Sequence, residues 1–239
     1  GSSDDTAKVA EAAGAKVINH PYSKGNGAAI KSGARVATGD IVVFMDADGQ
    51  HDPADIPRLL QKLEEGHDMV VGARQRGSQA SIGRSLANGF YNNLATYMTG
   101  HPVKDLTSGF RAVRANKFRE FLYLLPNGFS YPTTSTMAFF RAGYSVAYEP
   151  IHASERIGKS HIKPIQDGVR FLLIIFKIGT LYSPLKLFAP MAAAAFALAT
   201  LTEGRFTNMS ALLYTASAMI FLMGLISEQI TALMYKGKE

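Results

Sequence analysis

The chain has 239 residues, 47% of them hydrophobic, with a net charge of +6 and a pI near 9.4. That is enough for one sizeable α/β domain and an appendage. The lack of cysteine excludes disulfides and thiolate metal sites, and without a long Lys/Arg run or a nucleic-acid motif the basic balance points to a membrane surface or anionic substrates, not nucleic acid.

In chain order, the pattern predicts a helix over Thr6 to Ala13, capped by Ser3 or Asp4, and a short strand over Lys16 to Asn19. Lys24-Gly25-Asn26-Gly27 is a glycine-rich loop before a helix over Ala28 to Ala37; it serves either a phosphate or helix packing. Ile41-Val42-Val43-Phe44-Met45 is a short β-branched run, the signature of a strand buried on both faces of a parallel sheet. A helix punctuated by Pro53 and Pro57 runs to about Glu65, where Gly66 stops it. Asp68 to Gly72 is a second buried strand ending at Ala73-Arg74, and Ile82 to Thr99 a helix opening near Arg84. A loop and short strand cover Leu106 to Arg114, a helix Tyr131 to Ala142 and a strand Tyr144 to Ile151. Strands alternating with helices through short connections predict parallel βαβ units.

After Pro164 the character changes. Gln166 to Tyr182 interleaves apolar residues with Arg170 and Lys177, as an amphipathic interfacial helix does. Leu185 to Leu201 and Met209 to Leu233 are apolar enough to span a bilayer core, which needs about 20 residues at ~1.5 Å each. The polar connector Thr202 to Asn208 makes them a hairpin. Lys163, Arg170, Lys177 and Lys186 precede it, and Lys236 and Lys238 follow. The positive-inside rule then puts both flanks in the cytoplasm. The organisation expected is a catalytic domain over 1–162, a juxtamembrane segment over 163–183 and two spans within 184–235, at about 185–201 and 209–234.

Four constellations carry chemistry. Asp46-Ala47-Asp48 follows the Ile41 strand, at the edge of an α/β sheet where ligands bind. Two carboxylates one residue apart, with Gln50 and His51 close behind, offer hard oxygens to Mg²⁺ or Mn²⁺ bridging nucleotide phosphates. Arg156-Ile157-Gly158-Lys159-Ser160 places two cations and a hydroxyl about a glycine, a loop able to clamp a diphosphate. Arg74 and Arg84, with Arg76 as a competitor, suit a doubly charged phosphate monoester. Asp105-Leu106-Thr107-Ser108-Gly109-Phe110-Arg111 offers an acidic residue that could orient an acceptor, act as a base or cap a turn.

Taken together, D-A-D-G-Q-H-D-P, D-L-T-S-G-F-R and R-I-G-K-S resemble the motifs of family 2 glycosyltransferases, closest to the dolichyl- and polyprenyl-phosphate sugar synthases. The resemblance implies a GT-A fold, Rossmann-like with a mostly parallel sheet flanked by helices, followed by an interfacial helix and a two-helix transmembrane hairpin. It implies a cation at Asp46, Asp48 and Gln50, donor binding by Asp46, Asp48, Arg156, Lys159 and Ser160, and acceptor-phosphate binding by Arg74, Arg84 and Ser108. Asp48, Arg74, Arg84 and Asp105 are then the catalytic set. The opening Gly1-Ser2-Ser3-Asp4-Asp5-Thr6 is similar to the turn after the family's first strand, so a leading strand is expected before it; a Gly-Ser cloning remnant is the alternative.

The activity expected is inverting, metal-dependent transfer of a sugar from GDP-mannose or a UDP-sugar to a polyprenyl phosphate, by single displacement at the cytoplasmic face of the cell (inner) membrane. A homo-oligomer is compatible with the sequence. A processive polysaccharide synthase would need a Q-x-x-R-W element, and the chain has no tryptophan. The alternatives are a transferase with a non-lipid acceptor and a non-catalytic membrane scaffold.

Overall fold

The computed structural model describes residues 1–75, 82–128, 130–154, 172–173, 175–176, 179–180, 183–201 and 208–235; within these, side chains are described except at 82–87, 231–232 and 234–235. They form α1 (Thr6–Ala12), α2 (Asn26–Val36), β1 (Ile41–Phe44), a 3₁₀ turn (Pro53–Asp55), α3 (Ile56–Glu64), β2 (Met69–Arg74), α4 (Ile82–Thr99), β3 (Arg111–Arg114), α5 (Ala115–Arg119), α6 (Tyr131–Arg141), β4 (Val146–Ile151), α7 (Pro184–Leu201) and α8 (Asn208–Tyr235). The chain divides into two compact units, residues 1–93 with 102–164, and residues 94–101 with 165–239.

The first unit is built on a four-stranded sheet in the order β1-β3-β2-β4. β2 pairs in parallel with β4, while β3 runs antiparallel to both β1 and β2. The sheet is therefore mixed, a correction to the expected parallel arrangement, because β3 enters between β1 and β2 in the opposite sense. β1 is also less enclosed than a doubly buried strand. It is bonded to β3 alone, and only Phe44 of its four residues is buried. Residues 16–19, expected as a strand, are irregular, since no strand among the described residues pairs with them.

Strand alternation divides the core between two faces. Ile41, Val43, Val70, Phe110, Ala112, Ala147 and Ile151 meet α3, whose Ile56, Leu59, Leu60 and Leu63 recur at helical spacing on one side. Leu59 and Leu63 are fully buried, each contributing about 1.5–3 kcal/mol. Asp52 starts this stretch by accepting from the Ala54 amide at 2.9 Å. On the opposite face Phe44 stacks at a tilt against Phe118 of α5, centroids 4.7 Å apart, and meets Tyr131 of α6 at 5.8 Å. Each face thus fixes where β1 ends, and with it Asp46.

The glycines before α2 serve packing. The Gly27 and Ala28 amides donate to the Gly128 and Asn127 carbonyls at 2.9 and 3.0 Å. A Cβ at Gly27 would stand 2.0 Å from the Pro126 carbonyl oxygen, and one at Gly25 2.5 Å from that of Asn127. These amides are spent on protein backbone, so of the two readings of Lys24–Gly27 the structure supports packing over a phosphate cradle.

The second unit contains α7 and α8 packed as an antiparallel pair. Ser217 donates to the Ala192 carbonyl at 2.9 Å, Phe196 meets Tyr214 edge-on, and a Cβ at Gly224 would lie 2.7 Å from Phe188 Cβ. Lys186 donates to the Tyr97 and Met98 carbonyls at the end of α4, at 3.1 and 3.2 Å. Both helices qualify as membrane spans by length and composition, over Pro184–Leu201 and Asn208–Ile230, and only 17% of each is buried in the chain. The amphipathic segment expected over 163–183 lies mostly outside the described residues.

Candidate active site beyond the first strand

Asp46 follows β1 by one residue, and Asp48 lies in the turn beyond it. Asp46 is exposed, and Asp48 and Gln50 are half-buried. The Gln50 amide donates to Asp48 Oδ1 at 3.2 Å, which fixes the turn. Gln50 Nε2 faces the Ser154 carbonyl at 3.4 Å, leaving Oε1 as the oxygen of its amide available to a cation. The Ser154 amide returns a bond to the Gln50 carbonyl at 3.0 Å, so the end of β4 is tied to the acidic turn.

Whether this turn suits a cation follows from its donors. Among the described residues no three His, Cys, Asp or Glu side chains cluster as a metal site. Two carboxylates and an amide oxygen instead suit a hard ion that keeps waters and takes its remaining ligands from substrate phosphates, the habit of Mg²⁺ and a poor match to zinc. The site fits that ion as a shared site and not as a closed cage.

His51 stacks on Phe110 at 5.0 Å and 23°, with Nδ1 enclosed and without a partner among the described residues. Burial lowers its pKa, Arg74 acts in the same direction, and Asp46, Asp48 and Asp105 pull the other way without reversing it. Burial thus favours the neutral form of the ring.

Arg74 and Asp105 meet as a forked pair: Nε donates to Oδ2 at 2.8 Å and Nη2 to Oδ1 at 2.9 Å. Asp105 also accepts from the Thr107 and Ser108 amides, both at 3.1 Å. Burial alone would raise the Asp105 pKa; hydrogen bonds and charge from Arg74, with backbone amides, more than offset it and hold the carboxyl below its ordinary range. Of the readings for Asp105, turn-capping is the one these bonds display directly, and the same carboxylate holds Arg74 in place. Ser108, the expected contact to an acceptor phosphate, is 1% exposed, and its hydroxyl is enclosed without a hydrogen-bond partner among the described residues.

The arginine clamp is only partly visible. Arg84 stands in the first turn of α4, with its side chain outside the described residues. Arg76, Arg156, Lys159 and Ser160 lie outside them altogether. The structure therefore joins Asp46, Asp48, Gln50, Arg74 and Asp105 in one unit and is silent on the R-x-G-x-S loop. It adds three residues to which the sequence assigned no part: Gly109, Arg111 and Tyr131. A Cβ at Gly109 would fall 2.8 Å from Asp46 Oδ2, and Tyr131 donates to the Gly109 carbonyl at 2.6 Å. Gly109 and Arg111 stand in the D-L-T-S-G-F-R motif, which marks them without assigning a role, and Tyr131 carries no such signal.

Comparison with known proteins identifies the family and the fold. Residues 1–122 match the model of glycosyl transferase family 2, and residues 183–233 that of the GtrB C-terminal hairpin. The undecaprenyl-phosphate 4-deoxy-4-formamido-L-arabinose transferase of Proteus mirabilis is 30% identical, over 96% of this chain and 76% of its own length. The Klebsiella pneumoniae enzyme of the same name is 40% identical over 48% of this chain, though only 36% of that protein is covered. A dolichyl-phosphate hexose transferase of Haloferax volcanii is 28% identical, over 74% of this chain and 78% of that one. Among solved structures, glucosyl-3-phosphoglycerate synthase from Mycobacterium tuberculosis, in complex with Mn²⁺ and UDP-glucose, superposes with a TM-score of 0.55 at 25% identity, covering 74% of this chain and 65% of that one. With just over half its length matched by the family model, and a relative of 30% identity along nearly all of it, the chain belongs to glycosyl transferase family 2.

Proposed function

We propose that this glycosyltransferase moves a sugar from a nucleotide-diphosphate donor to a polyprenyl phosphate held in the membrane. The observation that carries the reading is the union, in one chain, of the Asp46–Asp48 turn with a hairpin whose apolar residues face outward. Relatives named as undecaprenyl- and dolichyl-phosphate transferases support a lipid acceptor. The UDP-glucose complex of the fold neighbour favours a UDP-sugar over GDP-mannose.

Asp46, Asp48 and Gln50 would hold Mg²⁺ or Mn²⁺. When bound, the ion neutralises the diphosphate that leaves as the sugar is transferred. Arg74, fixed by Asp105, and Arg84 would bind the acceptor phosphate, while Arg156, Lys159 and Ser160 would close on the donor diphosphate. A phosphate nucleophile is already ionised near pH 7, so attack on the anomeric carbon requires no strong base. Placement of the two substrates and neutralisation of charge then provide the rate. The hairpin's rationale is proximity: it keeps the site beside a substrate confined to the bilayer, with the catalytic unit and the C-terminus cytoplasmic.

The test is transfer by the full-length protein, in membranes with Mn²⁺, from a panel of labelled UDP- and GDP-sugars to undecaprenyl phosphate. One donor should yield labelled lipid, and Asp48→Ala should abolish the product while remaining in the membrane fraction. Label appearing only on a soluble acceptor such as 3-phosphoglycerate would overturn the lipid reading; undiminished turnover by Asp48→Ala would overturn the cation reading.

A further inference from the structure

Arg111 is the largest fully buried side chain among the described residues, and it is a cation. Among the described residues it has no carboxylate partner. Its acceptors are neutral: Nη1 donates to the Pro132 carbonyl at 3.0 Å, Ser135 Oγ at 2.9 Å and Thr136 Oγ1 at 3.1 Å, and Nη2 donates to the Ser108 carbonyl. A buried charge whose hydrogen bonds all go to neutral groups is costly, even with the charges of Asp105 and Asp46 acting on it from a distance, and a hydrophobic residue would fill the space at lower cost. That cost makes a local task the physical reason to look for.

The bonds define the task. Nη2 grips the carbonyl of Ser108 and Nη1 grips the first two turns of α6, so one side chain clamps the Ser108–Gly109 segment to the helix. The guanidinium also lies over the Tyr131 ring at 5.6 Å, and the Tyr131 hydroxyl holds the Gly109 carbonyl. At the exposed end of this assembly is Asp46. The position of a Gly109 Cβ would be 2.8 Å from Asp46 Oδ2, 3.4 Å from its Cγ and 3.1 Å from the Tyr131 hydroxyl oxygen. The Asp46 carboxylate therefore lies beside a floor of bare Gly109 backbone, whose carbonyl the Tyr131 hydroxyl holds, while Phe44, two residues before Asp46, packs against the Tyr131 ring.

We infer that Arg111 is a positioning residue for the cation site: through the Ser108–Gly109 segment and Tyr131 it sets the carboxylate of Asp46. The inference rests on Asp46 being a ligand of the ion. Arg111 touches neither ion nor substrate; it keeps the floor at a fixed height, so that the carboxylate does not lose binding energy to side-chain rearrangement. Groups that orient metal ligands from behind change metal affinity by roughly 10–100-fold when removed.

The experiment measures Mn²⁺ affinity directly, by electron paramagnetic resonance on the full-length protein in detergent, with UDP and separately with GDP. Gly109→Ala is the decisive variant. The nearest atoms to its methyl group are the ends of two side chains, Asp46 Oδ2 at 2.8 Å first, so the fold should be retained and Asp46 should move. Mn²⁺ should bind this variant about tenfold more weakly, with an unchanged melting temperature. Arg111→Met should weaken Mn²⁺ by as much or more, and Arg111→Lys should restore part of the loss. Wild-type Mn²⁺ affinity in a folded Gly109→Ala protein would overturn the role of the floor, whatever the Arg111 variants do. Wild-type protein that fails to bind Mn²⁺ with either nucleotide would overturn the cation reading itself, and the inference with it.

Discussion

At the scale of single residues, the pair of Arg74 and Asp105 decides how much of the site is preset. Asp105 is 5% exposed and Arg74 meets it with both edges of its fork, so each would be left as an uncompensated charge without the other. Asp105→Asn should therefore destabilise the protein by about 3 kcal/mol at neutral pH, measured as a lowered melting temperature in detergent. The pH dependence has a definite sign. The folded carboxyl titrates below its ordinary value, so its contribution is complete above the usual aspartate pKa of about 3.9 and is lost as pH falls through the lower folded value. The gap between wild type and Asp105→Asn should be constant from pH 8 to pH 5 and close only in stronger acid; a gap that closed near pH 6 would contradict the pairing. Asp46, Asp48, Arg74 and Asp105 were legible in the sequence because carboxylates and arginines at strand ends are conspicuous there. Arg111 was legible as the end of the D-L-T-S-G-F-R motif but its burial was not, since an arginine in a strand reads as a solvent-facing residue. Only the fold reveals that its face is covered by α6, whose Thr133, Thr134, Ser135 and Thr136 are all buried and polar enough to receive a cation.

At the scale of elements, local pattern and long-range pairing part company. The β-branched run of β1 and the period of α3 are local, and the helices and strands they specify form where expected. Strand direction is not local: β3 joins antiparallel between β1 and β2, and nothing in residues 41–44 announces which neighbour they meet. Residues 16–19 show the converse, a strand-like pattern without a pairing strand beside it. The glycines around α2 separate packing from conformational freedom. Gly27 sits against backbone oxygens that cannot move aside, so Gly27→Ala should destabilise by about 1–3 kcal/mol. Gly33, in the middle of the same helix, has nothing within 4 Å of its Cβ position, so Gly33→Ala should stabilise by roughly 0.5–1 kcal/mol. Opposite shifts in melting temperature are the expected result. A fall with both would mean that α2 owes little to its own propensity, and no fall with Gly27→Ala would remove the packing account of the glycine-rich loop.

At the scale of the whole molecule, the hairpin is where composition and burial must be weighed together. Two long apolar helices could be the core of a soluble domain, but a core helix is enclosed by its own chain. Here 17% of each span is buried, and Phe196, Leu198, Leu212, Leu222 and Ile226 are each more than half exposed. That much outward apolar surface requires lipid or another apolar partner. The direction of crossing rests on charge. Lys163, Arg170, Lys177 and Lys186 precede the hairpin and Lys236 and Lys238 follow it, while the connector carries one Arg and one Glu. Because residues 1–239 hold no cysteine, single cysteines placed among them report topology without background from this stretch. Thr207→Cys should react with a membrane-impermeant maleimide on intact cells stripped of their outer membrane, and Lys238→Cys only after permeabilisation. The reverse pattern would place Asp46 and Asp48 on the face opposite a cytoplasmic nucleotide-sugar pool, and the donor side of the proposed reaction would then fail even if both helices cross the bilayer.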